Sequence, residues 1–289
     1  MGIYGQLSQL RLAVKRRTLM TPLDPIATAL GTGLDYLARR FIPAPRHETE
    51  VVVEGGYRLV LPPGLPSARR LLTGTYEPEV TATVRALLAP GMRFVDVGAN
   101  VGYYSLIGAQ AVGAAGHVYA FEPERQVFKY LELNARRNAI PQLTLICKAL
   151  ADTTGSMPFI SSALEGGFLS FSSASLAMTG SVDTVRLDQF FSDAGWPAID
   201  LIKLDVEGAE GSVLAGMSEL STRNPKLQVI MEFNVVAMHR ARSSPAHISS
   251  LLRQLGFRRA LIIEQGRKDI SLFEPLPHSG LIYNLLVTK

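Results

Sequence analysis

The stretch Phe94-Val95-Asp96-Val97-Gly98-Ala99-Asn100-Val101-Gly102 limits what this chain can become more than any other. Arg93 to Val97 is apolar and β-branched, which predicts a buried parallel strand. Gly98 and Gly102 then allow a tight turn and a close approach to a ligand, where a Cβ would clash. Val101 to Gln110 continues as a helix, so the turn lies at a helix N-terminus. About twenty residues on, His117 to Phe121 reads as a second strand, with Glu122 at its carboxyl end and Pro123 stopping it. Strand, glycine turn, helix, strand and acid are the layout of a nucleotide-binding βαβ unit, whose acid holds ribose hydroxyls.

The spacing separates two ligand classes. A dinucleotide site places three glycines around a pyrophosphate at the helix N-terminus. Here the order is Asp-x-Gly-x-Asn-x-Gly. Asp96 just before the turn is awkward beside a pyrophosphate and suits a ligand carrying an ammonium group. S-adenosylmethionine offers its ribose to Glu122 and its amino group and sulfonium to the acids. A βα turn that binds nothing is the plain alternative.

A chain of 289 residues and 31.4 kDa has room for one large α/β domain and an extension. One cysteine, Cys147, excludes an internal disulfide and a multi-cysteine metal site, and its place in an apparent strand makes it a core residue. No apolar run reaches membrane-span length and no compact signal segment opens the chain, so the expected location is cytoplasmic. Of the formal charge of +4, residues 1–50 carry most, with seven Lys/Arg against four Asp/Glu. The rest has no basic stripe, so no nucleic-acid partner is expected. The N-terminus retains room to touch an anionic surface.

Residues 1–46 read as two helical pieces, Tyr4–Leu19 and Pro25–Phe41, that attach peripherally to a membrane, form a substrate-side lid, or pack on their own domain or a second subunit in a homodimer. Val51–Val53 and Tyr57–Leu61 bracket Glu54-Gly55-Gly56 as a β-hairpin. These form an N-terminal helical and hairpin extension over 1–70, with the main domain over 71–289. Within it, Tyr76-Glu77-Pro78-Glu79 opens a helix, Arg125–Asn138 is a helix, and Leu143–Cys147 and Val182–Leu187 are strands. Residues 155–180, rich in Ser, Gly and Ala, read as a mobile loop or short hairpin. Ile199 to Asp205 is a buried strand with acids at its carboxyl end, followed by one helix from Ala209 to about Leu220. Lys203 and Asp205 share a face by alternation, and a lysine in so apolar a strand needs a carboxylate partner. Leu227–Phe233, Phe257–Glu264 and Leu281–Val287 complete the strands, and His247–Leu255 is a helix. The alternation predicts a doubly wound, mostly parallel sheet. Asp96, Glu122, Asp152, Asp205, Glu207 and Glu232 all fall at strand ends, where such sheets bind ligands.

Asp96 to Tyr104, Phe121-Glu122-Pro123, Ala149-Leu150-Ala151-Asp152, Leu187-Asp188 and Lys203 to Glu210 resemble the motif series of FkbM-type methyltransferases, over roughly residues 75–289. The resemblance implies the seven-stranded, Rossmann-like sheet of class I enzymes and S-adenosylmethionine as cofactor. It implies O-methylation of a sugar, glycan or secondary metabolite, hence a small-molecule or glycan acceptor. It places Gly98, Ala99 and Asn100 at the methionine end of the cofactor, Glu122 at the ribose diol, and Asp152 with the Ala151 backbone at the adenine amino group. Tyr76 and Glu77 match a tyrosine–acid pair near the carboxylate end, and Asp205 would face the methyl. Asp96, Gly102 and Pro123 complete the cofactor set. Glu207, Gly208 and Glu210 could equally cap a helix.

A sugar hydroxyl is a weak acid, so methyl transfer to it requires a base within hydrogen-bond reach. Asp205 is the first candidate, Glu232 the second and His239 the third, with His247 after them. No metal is required; a Mg²⁺ variant is open, with Asp205, Glu232 and Asn234 as oxygen ligands. Two other functions stay open: N-methylation of a protein or nucleic acid, for which the Asn/Asp-Pro-Pro-aromatic tetrad is absent, and a cofactor-retaining module without catalysis, tethered by the basic N-terminus.

Overall fold

The computed structural model describes residues 45–161, 168–169, 180–264, 268–272 and 282–289. The two helical pieces expected before residue 45, and with them the membrane and dimer contacts assigned to them, lie outside the described residues. Among the described residues, no helix is long and apolar enough to cross a membrane. The chain divides into two compact units, one ending at Pro78 and the other running from Glu79 to Lys289.

In the first unit, β1 (Thr49–Val52) and β2 (Arg58–Leu61) pair antiparallel, with Val52 opposite Arg58. Gly55 and Gly56 make the turn at φ +100° and +88°, which side chains avoid. A short helix α1 (Ala68–Thr73) follows and ends on Gly74 in the left-handed conformation.

The second unit is built on an eight-stranded sheet. Its strands are β3 (Arg93–Val97), β4 (His117–Phe121), β5 (Leu143–Ile146), β10 (Leu201–Leu204), β11 (Gln228–Phe233), β12 (Arg259–Ile262), β13 (Lys268–Ser271) and β14 (Tyr283–Thr288). Their spatial order is β13-β12-β14-β11-β10-β3-β4-β5. From β5 to β11 every pair is parallel, and β14 enters antiparallel to β11. The sheet therefore has one strand more than the seven expected, because β13 folds back on β12 as an edge hairpin. The helices are α2 (Pro78–Leu87), α3 (Tyr103–Val112), α4 (Arg125–Arg137), α5 (Leu187–Asp193), α6 (Glu210–Ala215), α7 (Ser218–Arg223), α8 (Val235–Arg240) and α9 (Pro245–Gln254). Side chains of the central strands β3 and β10 are buried on both faces, as their unbroken apolar runs require.

Three local readings change. The stretch 155–180, read as a mobile loop or short hairpin, supplies β7 (Gly155–Ile160) and β8 (Phe168–Leu169), which pair antiparallel as a hairpin would, and these join β6 (Ala149–Leu150) and β9 (Gly180–Val185) in a second, four-stranded sheet. Residues 162–167 and 170–179 of that stretch lie outside the described residues. The strand expected over 182–187 ends two residues earlier, because Leu187 begins α5. The single helix expected from Ala209 is two, broken at Gly216-Met217. A Cβ on Gly216 would lie 2.4 Å from the Ala151 carbonyl oxygen, so the chain there passes too close for a continuous side-chain-bearing helix. Asp188 holds the restart: its carboxylate accepts the Leu220 and Glu219 N–H groups at 2.8 and 3.2 Å. That satisfies donors a helix start leaves open.

Chain order runs from β3 outward to β5 and then returns to β10 on the other side of β3. The β3/β10 boundary is thus the switch point of the sheet, where the carboxyl ends open a crevice.

Candidate active site

At the switch point, backbone fills the space that side chains would need. Gly98 has φ +81°, and a Cβ built on it would lie 1.9 Å from the Asp205 carbonyl oxygen. The Asp205 N–H bonds the Val97 carbonyl at 3.0 Å, so the ends of β3 and β10 are laced together here. The Gly98 and Ala99 N–H groups both reach the Phe121 carbonyl, at 3.0 and 2.9 Å, tying the turn to the end of β4. Asn100 takes φ +51°, which Asn tolerates, and its Oδ1 accepts the Val101 N–H at 2.8 Å. Gly102 starts α3 at φ +97°, and a Cβ there would meet Leu131 at 2.8 Å. What demands glycine at 98 and 102 is therefore the chain's own packing.

Glu122 lies under this turn, 3% exposed. Its Oε2 accepts the Asn100 N–H at 3.0 Å and its Oε1 the Glu124 N–H at 2.9 Å. Each oxygen keeps a lone pair for a further donor. Burial, only partly offset by those bonds, pushes its carboxyl up to about 7. Pro123 follows, half-buried. Asp96 is deeper still, 1% exposed, accepting the Ser105 hydroxyl at 2.6 Å. Burial raises it to about 6 against the pull of Lys203, its register partner on β10. At the end of β6, Ala151 is fully buried, and Asp152 is exposed. Asp152 trades two bonds with Ser212: its N–H reaches Oγ and its Oδ1 accepts the hydroxyl, both at 3.0 Å. Tyr76 and Glu77 belong to the first unit, where the Arg70 guanidinium lies over the Tyr76 ring at 5.3 Å and Glu77 holds φ +39°.

The acids of β10 and β11 converge. Lys203 has the carboxylate partner its buried position requires: Nζ is 2.8 Å from Asp205 Oδ2. The same ammonium stands over the Tyr104 ring, 4.5 Å from its centroid, an attraction worth about 2 kcal/mol when desolvated. Asp205, Glu207 and Glu232 each present an oxygen, and these oxygens lie within 4.8 Å of one another. Glu207 adopts φ +52°, where a side chain costs about 1 kcal/mol. Glu232 is pushed up to about 9, by burial first and then by the Asp205 and Glu207 carboxylates, and its buried Oε2 has no hydrogen-bond partner. Glu210 is the first residue of α6. Its Oε1 accepts the Gly208 and Val206 N–H groups at 3.2 and 3.3 Å, and burial raises it to about 7.

Asn234 does not join the cluster through its Oδ1, which accepts the Ala237 N–H at 3.1 Å and caps α8. His239 stands exposed on that helix, and His247, also exposed, has Nδ1 3.4 Å from Ser243 Oγ. Tyr104, Ser105, Glu124 and Ser212 are site residues that the motif reading does not single out. Tyr104 and Ser105 lie in or beside the Asp96–Tyr104 motif, and Ser105 bonds Asp96 within the same βα unit. Glu124 and Ser212 bond partners, Ser161 and Asp152, that are distant in sequence.

These raised acids fix a pH dependence. Asp96, Glu122, Glu210 and Glu232 hold their protons to higher pH folded than unfolded. Between about pH 4.5 and 9 the native state then binds more protons, so stability falls as pH rises. The melting temperature is expected to be lower at pH 9 than at pH 6, and Glu232→Gln should flatten the upper part of that decline. A melting temperature that held or climbed over this range would contradict the buried-acid geometry.

The donor set fits a nucleoside with a polar tail. Glu122 offers two oxygens beside a turn, and Glu124, on the connection after β4, and Glu232, in β11, each hold a buried carboxylate oxygen without a hydrogen-bond partner. Comparison with known proteins bears on what that set serves. Residues 96–259 match the family described as the methyltransferase FkbM domain. The chain is 30% identical over 200 residues to the 31-O-demethyl-FK506 methyltransferase FkbM of Streptomyces tacrolimicus, covering 59% of this chain and 74% of that protein. It is 28% identical over 159 residues to the hexuronic acid methyltransferase AglP of Haloferax volcanii, covering 55% of this chain and 60% of that one. A local match of 43 residues, 54% identical, relates it to the 2-O-methyltransferase NoeI of Sinorhizobium fredii, over 15% of this chain and 18% of that one.

Proposed function

The chain belongs to the FkbM methyltransferase family and is an S-adenosylmethionine-dependent enzyme, and we propose that it methylates a hydroxyl of a sugar, glycan or secondary metabolite. The observation that carries this reading is the pairing of two unlike acids at adjacent strand ends. Asp205 is ion-paired, 2.8 Å from Lys203, while burial and the neighbouring Asp205 and Glu207 carboxylates push Glu232 upward, toward its protonated form. A neutral hydroxyl needs both a proton acceptor and a donor that orients its oxygen. Asp205 takes the hydroxyl proton, and the protonated Glu232 donates a hydrogen bond to the acceptor. S-adenosylmethionine supplies, when bound, a methyl group already activated on a sulfonium. Glu122 holds the ribose hydroxyls, the Gly98–Asn100 turn carries the methionine end, and Asp152 with Ala151 meets the adenine. Three relatives whose names specify a 31-O position, a 2-O position and a hexuronic acid support an oxygen acceptor of this class.

The same three oxygens favour a second reading. Asp205, Glu207 and Glu232, within 4.8 Å of one another, could ligate a divalent cation such as Mg²⁺ that orients the acceptor, with Glu232 ionised. Chelator separates the two: activity that survives EDTA keeps Asp205 as base, and activity lost to EDTA and restored by Mg²⁺ makes the three acids ligands.

The function itself is tested with methyl-labelled S-adenosylmethionine and a panel of glycosides, uronides and hydroxylated polyketides. Label in a methyl ether is the expected result. Label confined to amine nitrogen of protein or nucleic acid would overturn the oxygen assignment. S-adenosylhomocysteine should raise the melting temperature and NAD should not, and Glu122→Ala should abolish that shift.

A further inference from the structure

Two residues beyond Glu122 stands a second buried carboxylate that the cofactor roles above leave idle. Glu124 is 8% exposed and holds the N-cap position of α4 with an extended backbone, its side chain making no capping bond. Its N–H donates to Glu122 Oε1 at 2.9 Å, so both acids sit on one short connection between β4 and α4. Its Oε1 accepts the Ser161 hydroxyl at the end of β7. Its Oε2 is buried and has no partner. A carboxylate oxygen taken out of water without a donor is costly, and such an atom is kept where a ligand supplies the missing hydrogen. The donors an adenosine group can bring to Glu122's side are its ribose hydroxyls.

We propose that Glu124 is a second ribose-binding residue, its Oε2 accepting a hydrogen bond from one of the two hydroxyls of the cofactor's ribose while Glu122 accepts from the other. The inference rests on the reading that Glu122 receives the ribose. Ser161 is then a positioning residue: by occupying Oε1 it turns Oε2 toward the sugar. It also links ribose recognition to the sheet of β7 and β9, whose strands flank residues 161–179.

The test is calorimetric binding of S-adenosylhomocysteine and of its 2′-deoxy and 3′-deoxy analogues to wild type, Glu124→Ala and Glu124→Gln. Glu124→Ala is expected to weaken S-adenosylhomocysteine roughly tenfold or more, the worth of a hydrogen bond to a charged group. For one deoxy analogue, the one lacking the hydroxyl that Glu124 holds, the same substitution should change affinity less than about twofold. Glu124→Gln keeps volume and the Ser161 bond, so it decides the matter should the alanine variant fail to fold. Equal losses for all three ligands, or no loss, would overturn the proposal and leave Glu124 only a tie to Ser161. Wild-type binding of S-adenosylhomocysteine is the separate test of the underlying reading, so failure of Glu124 leaves that reading standing.

Discussion

Asp205→Asn is expected to slow methyl transfer by roughly 10²–10⁴, the usual worth of a general base, while S-adenosylhomocysteine affinity stays within about tenfold of wild type. The residue's backbone is held independently of its side chain. Its N–H bonds Val97 at 3.0 Å, and its carbonyl fits against Gly98. Asparagine keeps the volume and can still face the Lys203 ammonium through its carbonyl oxygen, so the crevice should survive. What it cannot do is accept a proton. Measuring turnover and binding on one preparation separates the roles. If binding collapses with the rate, Asp205 is a cofactor ligand and Glu232 becomes the base. If neither moves, the reaction is not centred on this strand end. Breaking the pair from the other side is a different experiment. Lys203 is 2% exposed, and removing it would strand a carboxylate rather than silence it.

The largest structural effect is expected at Gly98→Ala. Two costs add there. The residue sits at φ +81°, worth about 1–2 kcal/mol for any side chain, and a Cβ would overlap the Asp205 carbonyl oxygen at 1.9 Å. That neighbour is backbone directly after the central strand β10, laced to β3 by the Asp205 N–H, so the ends of β3 and β10 must part, an overpacking cost of about 1–3 kcal/mol. Together they predict a loss of about 2–5 kcal/mol and of cofactor binding, read by denaturant unfolding and by S-adenosylhomocysteine titration. Gly74→Ala is the control: φ is +65° and ψ +26° there, the left-handed conformation, and nothing lies within 4 Å of a Cβ, so only the first cost applies. Equal stability in the two variants would show that the β3–β10 crossing tolerates more space than its geometry allows.

Much of the fold could be read because it depends on local order. The apolar run Arg93–Val97, the glycines after it and the strand His117–Phe121 occur in the sequence as they occur in space, and periodicity reports them. The second sheet was hidden for the opposite reason. β6 and β9 are two and six residues long and pair across some thirty residues of Ser- and Gly-rich chain with no alternation to reveal them. The break at Gly216 was equally silent, since its cause is the Ala151 carbonyl on a distant segment.

By itself, then, the sequence determined the α/β class, the switch-point turn, the acids at strand ends and the need for a partner to Lys203. Those follow from burial and strand periodicity, which act along the chain. Only tertiary structure decided that Asp205 is that partner, that Asn234 and Glu210 spend side-chain oxygens on helix starts, and that Glu207 joins Asp205 and Glu232. It also pushed the Glu232 carboxyl upward, through burial and the Asp205 and Glu207 carboxylates beside it. A carboxyl's proton affinity is set by the charges and low-dielectric surface within a few ångströms, and no one-dimensional pattern contains those distances.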